Sequence, residues 1–293
     1  MRFSIVIPCY NEAQYLGEAI HSLRNQDYPG SYEIVVVDNN CTDDTAAIAR
    51  KLGARVVSEQ TPGVCSARQR GTAASIGEIV ISADADTTYA PDWLSTIDRS
   101  FGRSERIVAV CGPCRYKDGP LWGKVYPPML FGIVWLVYLL TGRTLYATAT
   151  NIAFKKEHWS GYDTNLTQGG DELGLIRNLR RRGRVHFDFT NPTYTSGRRL
   201  TRGFIYNFFV TFVTYYLLAY LLNQLFKRQV LGSAPAYRDS RKPSFRYAHA
   251  VAFTLLSALL LLLPFASPRH YLAQTSHRVT GFVSHTITRN HHK

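Results

Sequence analysis

The amino-acid sequence predicts an α/β fold with a doubly wound, mostly parallel sheet, followed by apolar C-terminal helices. Short apolar strands alternate with helical stretches from residue 3 to about residue 112, and this alternation is typical of a parallel sheet with helices on both faces. The strands are continuous β-branched runs, which indicates that both of their faces are buried. Beyond residue 200 the chain becomes strongly apolar.

Each predicted element follows from its apolar spacing and its end signals. Residues 3–7 form an apolar strand that Pro8 closes. Residues 11–26 place apolar side chains at helical spacing, and residues 32–37 form a second β-branched strand. Capping residues, Gly or Pro mark the ends of the later elements. In chain order these are a helix at 42–52, a strand at 55–58, a helix at 66–75, a strand at 78–82, a helix at 91–101 and a strand at 107–110.

Polar residues follow three of these strands, all at the edge where parallel strands end. The first strand runs into residues 9–12, the second into Asp38, and the fourth into Asp84-Ala85-Asp86. Solvated loops alone would place polar residues at both edges, whereas the opposite edge carries mostly Gly and Pro, such as Gly77. Ligands on such sheets bind beyond the carboxyl ends of the strands. The sequence therefore predicts a binding site at this edge.

Asp84 and Asp86 have the most specific chemistry in this series. Two carboxylates two residues apart at the end of a buried strand cost free energy unless a positive charge lies between them. Mg²⁺ or Mn²⁺, shared with the phosphates of a nucleotide, is the usual occupant of such a site. The same spacing also occurs in ordinary Asx turns, so the interpretation depends on the neighbouring motifs.

The charge of the chain bears on its partners. The 293 residues carry a formal net charge of +13 at pH 7, but the basic residues are not interleaved with stacking aromatics or zinc-ligand spacings. We therefore expect no nucleic-acid partner. Basic residues beside apolar stretches are typical of proteins that contact anionic lipid head groups. The basic clusters are residues 177–184, 198–202 and 227–246.

Three apolar stretches predict contact with a membrane. Residues 129–140 are shorter than the ~20 residues that a span requires, which predicts a buried helix or one that lies at a membrane surface. Residues 204–226 predict an interfacial or transmembrane helix, and residues 247–266 predict a transmembrane helix. If both crossed, the basic loop 227–246 would oppose the positive-inside preference. This favours an interfacial or re-entrant position for the first of them.

Five segments, taken in order, resemble the motifs of family-2 glycosyltransferases, whose fold is the nucleotide-sugar-binding GT-A type. Cys41 stands where the family more often has Ser, and Gln69 stands where Asn is common. Five ordered motifs are far more specific than any one of them, and the resemblance covers roughly residues 3–200. The segments are SIVIPCYNE at 4–12, VVVDNNCTDDT at 35–45, PGVCSARQRG at 62–71, DAD at 84–86 and GGDELGL at 169–175.

The resemblance implies a role for each matched residue. Asp38 would accept hydrogen bonds from the nucleobase, and Arg68 would face the diphosphate, since a guanidinium fork suits phosphate oxygens. Asp86 would coordinate Mg²⁺ or Mn²⁺, with Asp84 directed towards the ribose or a metal-bound water. The metal would stabilise the departing nucleoside diphosphate. The other residues predicted to bind the nucleotide sugar are Pro8, Tyr10 and Glu12, together with Arg198 and Arg199 as groups that close over the diphosphate.

The acidic pair Asp171-Glu172 resembles the pair that lies near the acceptor site in this family. One of these carboxylates would take the proton of the acceptor hydroxyl. Glu172 matches the base by spacing and Asp171 by residue type, because the order of the two acids is inverted here, so both are predicted catalytic residues. The alternative is structural: Asp171 would cap a helix whose dipole also favours Glu172.

The resemblance implies a metal-dependent, inverting transfer of one sugar from a UDP-, GDP- or dTDP-linked donor. The Gln-x-x-Arg-Trp sequence of the family's processive synthases is missing, which argues for a single transfer. The position of the apolar stretches favours a membrane-presented or lipid-linked acceptor. A polyprenyl phosphate is the alternative acceptor, but it is already ionised and needs little base, so the intact acidic pair favours a hydroxyl.

Two other functions are less favoured by the sequence. A nucleotidyltransferase would need a Gly-rich basic loop after the first strand, and the residues that follow this strand contain none. A non-catalytic, membrane-anchored scaffold would not need the intact acids at 38, 84 and 86. We expect a catalytic domain facing the cytoplasm at residues 1–200, membrane-associated helices at 201–268 and a basic tail at 269–293.

Overall fold

The computed structural model describes residues 1–165, 171–204 and 207. The strands are β1 (Phe3–Cys9), β2 (Tyr32–Asp38), β3 (Arg55–Ser58), β4 (Ile79–Ser82), β5 (Thr87–Tyr89), β6 (Ile107–Cys111), β7 (Cys114–Tyr116), β8 (Ile152–Lys155), β9 (Arg184–Phe187) and β10 (Thr193–Thr195). The α-helices are α1 (Ala13–Arg24), α2 (Thr45–Lys51), α3 (Val64–Ala74), α4 (Trp93–Gly102), α5 (Leu121–Thr141) and α6 (Asp171–Arg182).

Seven strands form the main sheet in the order β3-β2-β1-β4-β8-β6-β9. The strands β3, β2, β1 and β4 are parallel to one another, and β6 pairs with β9 in parallel. The short strand β8 is antiparallel to both of its neighbours, β4 and β6. The predicted α/β class with a mostly parallel sheet is therefore confirmed, with one inserted antiparallel strand that the sequence analysis did not predict.

Helices cover both faces of the sheet, as a doubly wound fold requires. On one face, α1, α2 and α4 contribute buried side chains such as Leu16, Ala49 and Trp93 to a hydrophobic core. Every second residue of β1, beginning with Phe3, belongs to the same core. On the other face α3, α5 and α6 contribute side chains such as Phe131 and Leu179 to a second core. Every strand and helix predicted before residue 112 is present, with its ends shifted by at most a few residues.

Gly71 shows how closely α3 approaches the sheet. A Cβ atom at this position would lie 2.3 Å from Cγ1 of Val6 and 2.7 Å from Cγ2 of Val37. No side chain fits between the helix and strands β1 and β2. The close approach fixes the N-terminal half of α3, and with it Arg68, at the carboxyl edge of these strands.

A second, three-stranded sheet has the order β5-β10-β7. Thr195 of β10 pairs with Thr87 of β5, the residue that directly follows Asp86. A 3-10 turn segment, Gly197–Arg202, continues from β10. The small sheet therefore brings a segment from late in the chain beside the DAD motif, a contact that the sequence analysis did not predict.

Helix α5 is longer than the apolar run from which it was predicted. It has 21 residues, includes Pro127 and Pro128, and is capped by Gly142 in the left-handed region at φ 66°. It is long and apolar enough to cross a membrane by length and composition alone, with a mean hydropathy of 1.4. The run of residues 129–140 is therefore part of a longer helix, and its prediction as a buried helix or one at a membrane surface stays a prediction.

The other predicted segments belong to the C-terminal part of the chain. Residues 205–226, 247–266 and the tail 269–293 lie outside the described residues, apart from position 207. The predicted domain boundary near residue 200 falls within the segment Gly197–Arg202, and the membrane-associated segment beyond it stays a prediction.

Candidate active site

The candidate site lies at the carboxyl edge of β1, β2 and β4, where the sequence predicted it. Cys9 and Asp38, the last residues of β1 and β2, are direct partners in the parallel register. Asn11 and Asn40 follow these strands in the left-handed region, at φ 55° and 64°, a conformation that Asn tolerates better than most residues. The Oδ1 atom of Asn11 accepts a hydrogen bond from the backbone N–H of Thr42 at 2.7 Å. This bond joins the two loops that end β1 and β2.

Residues predicted to bind the nucleotide sugar lie at or near the ends of β1 and β2. Asp38 is half-buried, and its Oδ1 atom accepts a hydrogen bond from the N–H of Cys41 at 2.9 Å. Tyr10 follows β1 and is 45% exposed, and Pro8 is half-buried within β1. An exposed ring and an oriented carboxylate at neighbouring strand ends can serve as a stacking surface and a hydrogen-bond acceptor for a base.

Asp84 forms an ion pair with Arg68. Nη2 of Arg68 lies 3.1 Å from Oδ1 of Asp84, and the side chains are 5% and 29% exposed. Burial raises the pKa of Asp84 and the charge of Asp86 raises it further, while Arg68 and Arg199 lower it. Two cations therefore only partly compensate the cost of holding this carboxylate ionised.

Asp86 belongs to a different group of charges. Nη2 of Arg198 lies 2.9 Å from Oδ2 of Asp86, and the guanidinium also donates to both carboxylate oxygens of Glu12, at 2.9 and 3.0 Å. The guanidinium lies 4.5 Å above the ring of Tyr15. Burial lowers the pKa of Arg198, but its bonds to Glu12 and the charge of Asp86 outweigh this and raise it. Arg198 therefore stays charged and joins the two carboxylates.

The segment that carries Arg198 is held on both sides. The N–H of Ser196 donates to the carbonyl of Asp86 at 3.0 Å, and the hydroxyl of Thr195 donates to Oδ1 of Asp86 at 3.3 Å. Asp118 accepts hydrogen bonds from the N–H of Gly197 and the hydroxyl of Ser196. Sequence reasoning missed Asp118, Thr195 and Tyr15. The three residues of β10 are too few to form a pattern from which Thr195 could have been found.

The predicted acidic pair lies at the start of α6. The helix begins at Asp171, and Glu172 is half-buried in its first turn. Leu175, Ile176 and Leu179 are buried and hold the helix against the sheet. The loop 166–170 that leads into this helix is outside the described residues. Contact between the acidic pair and the group at Asp84 and Asp86 stays a prediction.

The donor set at Asp84 and Asp86 fits a divalent cation that also binds a phosphate. Carboxylate oxygens are suitable ligands for Mg²⁺ and Mn²⁺, and burial penalises the charge of Asp84, as its raised pKa indicates. Within residues 1–165, 171–204 and 207, no three His, Cys, Asp or Glu side chains come together to hold a metal ion by themselves. A cation here would complete its coordination with oxygen atoms of water or of a bound molecule such as a diphosphate.

Comparison with known proteins gives curated relatives of differing similarity. An uncharacterised glycosyltransferase of Mycobacterium tuberculosis is 42% identical over 83 residues, which are 28% of this chain and 36% of that protein. The glucosyl-dolichyl phosphate glucuronosyltransferase of Haloferax volcanii is 26% identical over 196 residues, 59% of each chain. The chain therefore spans about a third of the length of the first curated relatives that it matches.

Two solved structures have a similar fold. The mannosyltransferase of Pyrobaculum calidifontis, in complex with GDP-Man and Mn²⁺, has a TM-score of 0.60 at 21% identity, and covers 95% of this chain and 80% of its own. Residues 1–349 of Staphylococcus aureus TarS, in complex with UDP-GlcNAc, give 0.56 at 18% identity, with 87% and 72% covered. These likenesses show a shared fold.

A match between this sequence and a protein-family model identifies the family. Residues 4–168, more than half of the chain, match the family described as glycosyl transferase family 2. The matched region contains the three strand ends and both aspartates of the DAD motif. This chain belongs to glycosyl transferase family 2.

Proposed function

We propose that this protein is a metal-dependent glycosyltransferase that moves one sugar from a nucleotide sugar to a membrane-presented or lipid-linked acceptor, with inversion at the anomeric carbon. The observation that carries the proposal is the pairing of Asp84 with Arg68 and of Asp86 with Arg198 at the carboxyl edge of the sheet. Two acids and two arginines at one edge offer both a cation site and anion-binding groups, as a nucleoside diphosphate requires.

The residues of the site would divide the binding of the donor between them. Asp86, with Asp84, would hold Mg²⁺ or Mn²⁺, which when bound supplies Lewis-acid stabilisation to the departing diphosphate. Arg68 and Arg198 supply guanidinium forks, and the exposed Arg199 adds charge near Asp84. The base and ribose would bind among the strand-end residues Pro8, Tyr10, Glu12 and Asp38.

The acceptor hydroxyl would lose its proton to Asp171 or Glu172. A base on the face opposite the leaving group gives inversion in a single displacement. Replacing each acid by its amide shows which of them is the base. The variant that lacks the base loses the alkaline plateau of the pH–rate profile, whereas the variant that lacks the other acid keeps this plateau. If neither Asp171→Asn nor Glu172→Gln changes the profile, the proposed base is wrong and an already ionised acceptor, such as a polyprenyl phosphate, is favoured.

Relatives support the choice of donor and metal. The Pyrobaculum mannosyltransferase structure contains GDP-Man and Mn²⁺, and the TarS structure contains UDP-GlcNAc. Both have the fold described above, so a nucleotide sugar with a divalent cation is the ligand class we propose here. The identity of the sugar depends on loops around the site, and a panel of donors is needed to find it.

Membrane association is the second part of the proposal. The sequence beyond residue 203 contains apolar stretches at 204–226 and 247–266, and a Haloferax relative is named for a dolichyl-phosphate-linked glucose. Both support a lipid-linked acceptor at a membrane. With the catalytic domain facing the cytoplasm, the domain would have access to cytoplasmic nucleotide sugars.

The test is hydrolysis and transfer with UDP-, GDP- and dTDP-linked sugars, with Mg²⁺ or Mn²⁺ and with and without membrane extract. We expect one donor class to be turned over only when a metal is present, and Asp86→Ala to abolish the turnover. Asp92→Asn, an exposed acid six residues later, is the matched control and should retain it. No turnover of any donor by the purified full chain would refute the transferase proposal.

A further inference from the structure

Exposed large apolar side chains concentrate on one helix of this molecule. Eight of the thirteen in the described residues belong to α5. Most of them recur every three or four positions and so form one stripe along the helix, which we call the α5 stripe. Its members, with the flanking Trp135, are Leu121, Val125, Met129, Ile133, Leu136, Leu139 and Leu140.

The other face of α5 is packed against the protein. Phe131, Val134 and Tyr138 are buried in the core that contains β9 and α6, and the ring of Trp135 stacks on Phe189 at 5.3 Å. A helix fixed to the sheet in this way cannot also stand across a bilayer. Its apolar stripe faces outward along about 30 Å of helix, while the domain covers the opposite side.

A basic cavity lies where α5 ends. Its volume is about 530 Å³, and five of the residues around it are arginines contributed by three parts of the chain. Among the residues that the structure describes, no acidic side chain lines it. One arginine follows α5, three lie on α6 or its last turn, and one opens β9: Arg143, Arg177, Arg180, Arg181 and Arg184.

Ordinary helix capping explains only part of this cluster. Cations in the last turn of a helix are favoured by its dipole, which accounts for Arg180 and Arg181 in α6. The end of α5 favours Arg143 in the same way, but capping does not account for Arg184, which opens β9 and lines the same cavity. Arg184 donates to the hydroxyl of Tyr138 at 2.7 Å and lies over its ring, so the cavity is fixed to α5 itself.

We propose that the α5 stripe and the adjoining arginine cavity form a docking surface for an anionic bilayer. Apolar side chains of an in-plane helix enter the boundary between head groups and acyl chains, and arginines beside it bind lipid phosphates in a bidentate manner. The cavity is large enough for a phosphate-bearing head group, and the positive charge of its five arginines is complementary to one.

The surface is distinct from the candidate active site but continuous with it. Arg184 opens β9, which runs parallel to β6, so the cavity lies at the edge of the sheet opposite Asp84 and Asp86. The other end of α5 is close to the active-site segment, because a Cβ atom at Gly123 would lie 2.3 Å from Leu200. A bilayer along the α5 stripe would therefore extend to the part of the molecule that contains the candidate active site. This last link rests on the proposed function, whereas docking does not.

The stripe is tested with the full chain and vesicles whose acyl chains carry bromine, a short-range quencher of Trp fluorescence. Trp135 is 40% exposed beside the stripe. Subtracting the fluorescence of the Trp135→Phe variant from that of the original chain therefore gives the fluorescence of Trp135 without that of the other three tryptophans. We expect this difference signal to be quenched by vesicles that contain phosphatidylglycerol. An unquenched Trp135 in a vesicle-bound chain would overturn the proposal, and would mean that another part of the chain or a second copy covers the stripe.

The cavity is tested with a triple variant, Arg143→Gln, Arg180→Gln and Arg181→Gln. Its affinity for phosphatidylglycerol vesicles should fall at least tenfold, with little change on pure phosphatidylcholine. The matched control removes three exposed arginines elsewhere, Arg50, Arg70 and Arg99, and should change affinity less than twofold. Equal losses in both triple variants would overturn the proposal. Donor hydrolysis without vesicles is measured in parallel, so that failure of docking and failure of the proposed transferase are told apart.

Discussion

The two aspartates of the DAD motif have different partners, although only one residue separates them. Asp84 pairs with Arg68 on α3, a helix packed against β1 and β2 without space for a side chain at Gly71. Asp86 pairs with Arg198, which lies on a 3-10 turn segment and also holds Glu12. The first pair joins two elements of the core, and the second joins the sheet to a late segment of the chain. We therefore expect the first to stabilise the fold and the second to respond to ligands.

Arg198→Gln should have the largest effect on the reaction. Its guanidinium is the anion-binding group closest to Asp86, and removing one such donor from a site that stabilises developing charge costs about 100-fold or more in kcat/KM. The measurement is nucleoside diphosphate release with a saturating metal ion. Arg202→Gln, on the same segment, is the control and should stay within about threefold of the original enzyme. Equal losses in both variants would mean that the segment as a whole is needed, and not its contact with Asp86.

Arg68→Gln should have the larger effect on stability. It leaves the partly buried carboxylate of Asp84 without its nearest cation, and we expect a loss of about 2 kcal/mol in the free energy of unfolding at pH 7. This is below the range for fully buried pairs, because Asp84 is 29% exposed. Urea denaturation of the metal-free protein measures the difference.

The stability loss of Arg68→Gln should depend on pH in a defined direction. The pKa of Asp84 is already raised, so its contribution to stability is present below the ordinary carboxyl pKa of about 3.9 and is lost as pH rises through the folded value. Removing Arg68 raises that pKa further, so more stability is lost. The difference from the original protein should therefore grow between about pH 4 and pH 7. A difference that is constant over this range would assign the effect of Arg68 to packing instead of charge.

The comparison also shows which parts of the molecule the sequence can predict. Strands such as Tyr32–Asp38 and helices such as Ala13–Arg24 have local signals in their apolar spacing, and these predictions were confirmed. Three-residue strands such as Thr193–Thr195 carry too few residues for a pattern, and the antiparallel direction of Ile152–Lys155 depends on partners far along the chain. Their placement depends on tertiary contacts that no local window contains.

The same limit applies to the site. Asp38, Asp84 and Asp86 could be predicted because the carboxyl ends of parallel strands are where ligands bind. The contact between Glu12 and Arg198 joins residues 186 positions apart, and no spacing rule leads to it. The sequence analysis assigned Glu12 to base and ribose binding, and that assignment stays a prediction. In the structure its carboxylate holds Arg198 beside Asp86.

Arg198→Gln also tests whether Arg198 and a metal ion compete for Asp86. Without the guanidinium, the carboxylates of Asp86 and Glu12 lack their shared cation. We expect the donor-free variant to bind Mn²⁺ about tenfold more tightly than the original protein, equivalent to about 1.4 kcal/mol, and to gain correspondingly more thermal stability from added Mn²⁺. Arg198→Lys, which keeps the charge, should behave like the original. An unchanged Mn²⁺ affinity would show that Arg198 and the cation do not compete for Asp86.

Thr195→Val should have the smallest effect, and it tests whether orientation of Asp86 matters separately from charge. Thr195 donates to Oδ1 of Asp86 at 3.3 Å, a long bond, so removing its hydroxyl should cost about 0.5–1 kcal/mol, or about twofold to fivefold in Mn²⁺ affinity. Thr88→Val is a closely matched control, because the Thr88 hydroxyl donates to the carbonyl of Tyr194 across the same pair of strands, also at 3.3 Å. If the two variants weaken Mn²⁺ binding equally, the small sheet acts only by its stability. If Thr195→Val alone weakens it, β10 orients the carboxylate that Arg198 neutralises, and the late segment positions the ligand site as well as supplying its charge.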